Sequence, residues 1–134
     1  MMVRRWGPGL PLILLLLLGG CPQETAVWVA EGSTADELTL VFGRKRGRER
    51  PISSVVRVDR CDDANRDSYE GKALWIVSVD TSRMTYGVTG PGVFAETKAA
   101  PLTPDCYFVS MSGTGSASFV VDSTGGVTEL DEVP

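Results

Sequence analysis

The stretch CYFVSMSGTGSASFVVD, residues 106–122, reads as two strands and a turn. Its arms, Cys106–Ser112 and Ala117–Asp122, are rich in Val, Phe, Tyr and Ser, as strands prefer. The link Ser112-Gly113-Thr114-Gly115-Ser116 is a hairpin connection. Its Gly-x-Gly is no nucleotide loop, because it leads into a strand and offers no helix N-terminus to a phosphate.

The same texture extends in both directions. Toward the C-terminus, Ser123-Thr124-Gly125-Gly126 is a second turn before a short strand, Val127–Leu130. Toward the N-terminus, Ala26–Ala30 opens the series, and Glu37–Phe42 puts Leu38, Leu40 and Phe42 on one face. Ile52–Asp59 puts Ile52, Val56 and Val58 on one side, with Ser53 and Arg57 opposite. Ala73–Asp80 is apolar on both sides, with Trp75, Val77 and Val79 on one and Leu74 and Ile76 on the other. That pattern marks a strand covered on both faces and central in its sheet. Met84–Val88 is a further, less regular candidate, and Val93–Pro104 reads as a crossover between sheets. No segment sustains helical periodicity over three turns. The expected fold is all-β, an antiparallel β-sandwich of about 7–8 short strands.

Composition narrows the function. The 134 residues include 13 Lys+Arg, 17 Asp+Glu and no histidine, for a formal charge of −4. Without histidine there is no Ser-His-Asp or Cys-His nucleophile system and no histidine-ligated zinc or haem. The acidic balance argues against nucleic acid as a partner. The expectation is that the chain is not an enzyme.

The first twenty residues read as an address. Arg4 and Arg5 precede an apolar run, Leu10–Leu18, which is too short at about 1.5 Å per residue to cross a hydrocarbon core of about 30 Å. A basic start, a short apolar run and small residues fit a secretory signal. Leu18-Gly19-Gly20-Cys21 resembles the lipobox of bacterial lipoproteins. The resemblance implies cleavage after Gly20 and a diacylglycerol on the Cys21 sulfur, so 1–20 is signal, 21–25 tether and 26–134 the sandwich. It also implies the bacterial cell envelope, and Pro22, standing where Asp would retain a lipoprotein, implies the outer membrane. Two or more acyl chains hold a protein stably on a membrane.

Removing the signal leaves 114 residues, 11 of them basic and 17 acidic, for a net of −6. Besides Cys21, the cysteines are Cys61 and Cys106, an even pair that reads as a disulfide in an exported chain. On the chain-entropy model, closing a loop of this length contributes about 4 kcal/mol.

Leu102-Thr103-Pro104-Asp105-Cys106-Tyr107-Phe108-Val109 resembles the L-x-P-G-x-Y-x-V turn and strand of prealbumin-like and Ig-like β-sandwich modules, with Asp105 in place of glycine. It implies a fold and no activity. The order Cys61, Trp75, Cys106 is also that of antibody domains, but Pro104 stands where their tyrosine precedes the second cysteine, so the true immunoglobulin assignment is rejected.

Three places carry candidate chemistry. Arg44, Lys45, Arg46, Arg48 and Arg50 place five of the eleven basic residues in seven positions between two strands. They form either a solvated hairpin loop or a contact for anionic headgroups, lipopolysaccharide phosphate or an acidic partner. Asp63, Asn65 and Asp67 have the D-x-[DN]-x-[DN] spacing of a calcium loop, with Glu70 as a further ligand. Ser68 and Leu74 depart from that motif, and the other reading is a polar loop of Asx turns. Among Trp28, Trp75, Tyr86, Phe94 and Tyr107, the best candidates for an exposed glycan- or peptide-binding ring are Tyr86 and Phe94. The expected function is therefore a membrane-anchored structural or protein-interaction module with an envelope protein as partner. The alternative is a ligand-binding module for calcium, glycan or anionic lipid.

Overall fold

The computed structural model describes residues 24–64 and 73–130. In chain order these form β1 (Ala26–Val29), β2 (Thr39–Lys45), β3 (Arg48–Glu49), β4 (Ile52–Arg60), a single helical turn α1 (Cys61–Ala64), β5 (Trp75–Thr81), β6 (Arg83–Thr85), β7 (Val93–Phe94), β8 (Asp105–Met111), β9 (Ser116–Val121) and β10 (Val127–Leu130). One sheet runs β1-β2-β3, with β6 also on β2, and the other runs β10-β9-β8-β4-β5-β7. All pairings are antiparallel and the two sheets pack as a β-sandwich. The ten strands exceed the expected seven or eight because β3 and β7 span only two residues each, too short to leave a periodic signal.

Alternation sets what is buried. Leu38, Leu40 and Phe42 are all buried, as their shared face requires. Across the core, Tyr107, Val109 and Met111 of β8 and Ala117, Phe119 and Val121 of β9 point inward together. The 106–122 hairpin is therefore in place, its arms shifted by one residue.

Two strand pairs change sheets without a long connection. β2–β3 turns through Pro51 into β4, and β5 turns through Ser82 into β6. Sandwich corners are commonly made by strands that bend from one sheet to the other. Both corners meet at Phe42, whose N–H donates to the Ser82 carbonyl and whose carbonyl accepts from the Arg50 N–H, each at 2.8 Å. Glu49 of one corner takes two hydrogen bonds from Arg83 of the other, at 2.9 and 2.7 Å, and one from the Ser82 hydroxyl at 2.7 Å.

Three expectations are corrected. β5 is covered on one face only: Leu74, just before it, is buried, but Ile76 is 46% exposed. The central strands are β8 and β4, while β5 lies beside the short edge strand β7. Val93–Pro104 does not cross between sheets, since it begins as β7 and ends at β8 of the same sheet. The stretch after β7 is held by the Trp75 indole N–H on the Thr97 carbonyl, the Tyr86 hydroxyl on the Ala100 carbonyl and the Ala100 N–H on the Leu74 carbonyl. The basic segment is itself sheet, because β2 continues to Lys45 and returns as β3 after a turn at Arg46-Gly47. Gly47 has φ +87°, a conformation that favours glycine.

Cys61 and Cys106 are bonded, with Cα atoms 5.4 Å apart. The β4–β8 register ends at Arg60 opposite Tyr107, so the next facing pair is Cys61 and Cys106. The bridge thus lies within one sheet and does not join the two sheets as an antibody disulfide does. Next to it, the Tyr107 hydroxyl donates to the Thr103 carbonyl at 2.6 Å and accepts from the Thr103 N–H at 2.9 Å. These bonds tie the Tyr107 side chain of β8 back to the backbone four residues earlier. Reducing the disulfide should lower unfolding free energy by about 2–5 kcal/mol. Urea titrations with and without reductant, read by tryptophan fluorescence, check this; coincident midpoints would refute it.

Candidate functional site

The β1–β2 ladder decides what lies beside the basic hairpin. Ala26 faces Gly43, so the preceding residues Thr25 and Glu24 run alongside Arg44 and Lys45. A cavity of about 600 Å³ is walled by Glu24, Thr25, Ala26, Arg44, Lys45, Arg46 and Thr114. A second, of about 430 Å³, shares Thr25 and Arg44 and adds Pro51, Ile52, Ser53, Ser112 and Gly113. Both lie at the end of the sandwich where the β2–β3 hairpin and the β8–β9 turn meet. The β9–β10 turn lies at the far end, paired with the β1–β2 loop through Thr34 and Gly126.

The five basic residues are not equivalent. Arg46 pairs with Glu129, whose other oxygen accepts the Val29 N–H at 2.8 Å. That carboxylate ties the hairpin to the β1 and β10 edges and cancels one charge. Arg44, Lys45, Arg48 and Arg50 are exposed, and among the described residues no carboxylate forms an ion pair with them. Glu49, set among them, is turned to Arg83. The Arg83 hydrogen bonds, aided by Ser82, hold its carboxyl down at about 2 and raise the Arg83 guanidinium. The hairpin tip therefore keeps a net positive surface. Its shape depends on Gly43, where a Cβ would run into the Arg48 carbonyl at the bulge.

Thr25 is a residue the sequence reading passed over. Its Oγ1 is buried and has no hydrogen-bond partner. Its N–H donates to the Thr114 hydroxyl at 3.2 Å, which fixes the strand start against the β8–β9 turn. An unsatisfied buried hydroxyl costs about 1–3 kcal/mol. No sequence signal could have found it, since a lone threonine before a strand is unremarkable.

The other candidates fare differently. Asp63 lies in α1, where a polar loop was expected, but its side chain, with Asn65, Asp67 and Glu70, falls outside the described residues. So do Cys21 and the first twenty residues, expected to be a signal. Among the described residues no group of three or more Cys, Asp or Glu is placed to hold a metal ion, and no helix is long and apolar enough to cross a membrane. Phe94 is 66% exposed, as expected. Tyr86 is not presented to solvent as a free ring: it packs edge-on against Trp75, with centroids 5.3 Å apart, and burial pushes its hydroxyl pKa up. Trp75 and Tyr107 are core, and Trp28 is half-buried.

The outer face of the six-stranded sheet carries two further features. Val55 and Ile76 are exposed there, with Phe94 two positions along the Val55–Ser78–Phe94 row. Asp59, taken from sequence as the end of a strand, is fully buried, and both its oxygens accept from the Arg57 Nε at 3.1 and 3.0 Å. Compared with known protein families, curated proteins and solved structures, the chain matches none.

Glu49 makes a pH test of the corner clamp. Its carboxyl titrates lower in the folded chain than in the unfolded one, so its contribution is full above about pH 4.5 and lost as pH falls toward 2. Melting temperature measured from pH 6 to pH 2 should fall less steeply in Glu49→Gln than in the parent chain. Parallel curves would show that the clamp contributes nothing.

Proposed function

We propose that the protein is a bacterial envelope lipoprotein, anchored through Cys21, whose β-sandwich serves as a structural or protein-interaction module. The observation that carries this reading is the placement of the strand start. Glu24 is three residues from Cys21, a reach of about 10 Å, and it stands beside the basic hairpin at one end of the sandwich. An acylated Cys21 holds that end against the bilayer. The outer face of the six-stranded sheet, with Val55, Ile76 and Phe94 exposed, then stands along the side of the anchored domain, available to a protein partner. Exposed aliphatic and aromatic side chains flanked by Ser78 and Arg57 have the make-up of a modest interface core with a polar rim. The Leu102–Val109 resemblance and the Tyr107 hydrogen bonds favour an Ig-like or prealbumin-like variety of sandwich.

The same placement favours anionic lipid as a second ligand. Arg44 and Lys45 line the same cavity as Glu24, and near charged headgroups each basic side chain contributes about 1 kcal/mol, screened over about 8 Å. Attraction at this end opposes the net acidity of the remaining chain.

Anchoring has a direct test. Cells expressing the full chain and fed an alkyne-bearing palmitate should yield a labelled, detergent-phase protein, and Cys21→Ser should remove the label and leave an unprocessed chain. Equal labelling of the parent and Cys21→Ser chains, or a parent chain that stays in the aqueous phase unlabelled, would refute the lipoprotein reading.

A further inference from the structure

We infer that the free edge of β6 is a docking strand. An extended segment of a partner protein pairs with Arg83 and Thr85 and seats an aliphatic side chain in the cleft beside them. This deepens the protein-interaction reading above and rests on it, with a surface separate from the outer face of the six-stranded sheet.

Hydrogen bonding along β2 sets which way β6 presents its backbone. The Phe42 N–H donates to the Ser82 carbonyl and the Tyr86 N–H to the Leu38 carbonyl, each at 2.8 Å. Between these, Met84 stands opposite Leu40, so alternation turns the backbone groups of Arg83 and Thr85 away from β2. Among the described residues β6 pairs with no other strand. The Thr85 carbonyl takes the Val88 N–H at 3.0 Å, which leaves the Arg83 N–H, the Arg83 carbonyl and the Thr85 N–H open. Donor, acceptor and donor in strand spacing are what an extended peptide needs to add itself to a sheet.

Two other edges are closed. On β1, Val27 is 3% exposed and the Val29 N–H is held by Glu129. On β7, Val93 and Gly90 exchange backbone bonds at 3.0 and 3.1 Å, so its own turn covers it. A free charge is the usual guard of an open edge, but the Arg83 guanidinium is held by Glu49 of β3 through two hydrogen bonds.

Beside the open edge lies a cleft of about 370 Å³. Arg83, Met84 and Thr85 wall it on the strand side, and Val88, Pro91 and Val93 on the other. Val88 is 56% exposed although apolar. The far wall is preformed, because the Gly90 and Val93 bonds close its turn and the Gly92 carbonyl takes the Asp80 N–H at 2.7 Å. Gly92, at φ +77°, lies so near the Asp80 carbonyl that a Cβ would not fit. Backbone bonds give such pairing its affinity, and the pocket for an alternate side chain gives its preference, here for an uncharged aliphatic group.

The test uses residues 21–134 with Cys21→Ser, because every residue of the buried core lies between Val27 and Val121. In the free domain the Arg83 and Thr85 amides should exchange with deuterium about tenfold or more faster than those of Met84 and Tyr86. A displayed library of random nonapeptides is then selected on the domain, and the tightest nonapeptide is synthesised. Strand addition predicts that it slows exchange at Arg83 and Thr85 by about tenfold or more. N-methylating its backbone one residue at a time should weaken binding about tenfold at alternate positions of the paired stretch, and less than about twofold between them. Val88→Asp should weaken binding about tenfold and Phe94→Ser less than about twofold, with thermal melts confirming folding. Slow exchange of both amides in the free domain, no selectable peptide, or N-methylation losses without alternation would overturn the docking strand. Binding lost on Phe94→Ser and kept on Val88→Asp would overturn it too, yet would uphold the broader interaction reading by moving the interface to the six-stranded sheet.

Discussion

Strand β2 is the piece against which the rest of the described chain is arranged. Its backbone groups lie at the heart of a sandwich and each needs a partner, because an unpaired buried amide costs more than the bond it forgoes. β1 satisfies one edge, while β6 and the returning β3 share the other. At Phe42 the requirement is sharpest, since the ring is buried and both backbone groups are taken by different corners. Fixing Phe42 fixes where β4 and β5 enter the second sheet. It also fixes the β1 register, and with it the place where the chain leads off toward Cys21. The basic hairpin and the start of β1 share one end of the described fold for that reason, and not by composition.

Much of this was legible in the residues. The inward set Leu38, Leu40 and Phe42, the 106–122 hairpin and the pair Cys61 and Cys106 follow from alternation, turn chemistry and cysteine count, all of which are local or arithmetical signals. The errors have one physical source. Burial of the outer sheet face depends on which elements lie across it, and period-two patterning cannot report that. Ile76 looks as apolar as Val77 in sequence, yet one is exposed and the other is core. Asp59 is the converse, a charged residue whose burial rests on Arg57 two positions away on the same strand face. β3 and β7 were missed because two residues cannot show a period. The crossover assigned to Val93–Pro104 failed because the chain has already changed sheets before it, at the Pro51 and Ser82 corners and again between β6 and β7.

The candidate site was legible only in its charges. The run of Arg44, Lys45, Arg46, Arg48 and Arg50 announces itself, but sequence treats the five alike. Tertiary contacts sort them: Glu129 takes Arg46, and Glu49, which stands among them in sequence, is removed to Arg83. What remains is a hairpin with four cations that have no ion-pair partner among the described residues, beside a cleft at the start of β1. A net charge of −6 for residues 21–134 therefore coexists with a positive end, and the sum hides the polarity. Such a dipolar arrangement orients a tethered domain as well as attracting it.

Orientation is the claim to which fold and function both lead. The full chain, carrying the acylation proposed at Cys21 and placed in anionic nanodiscs that contain a gadolinium-chelating headgroup lipid, allows distance from the bilayer to be read at each backbone amide by NMR line broadening. The account predicts strong broadening at residues 44–48 and 113–115, with residues 32–36 and 123–126 nearly unaffected. Broadening that is greatest at 123–126, or uniform along the chain, would contradict it.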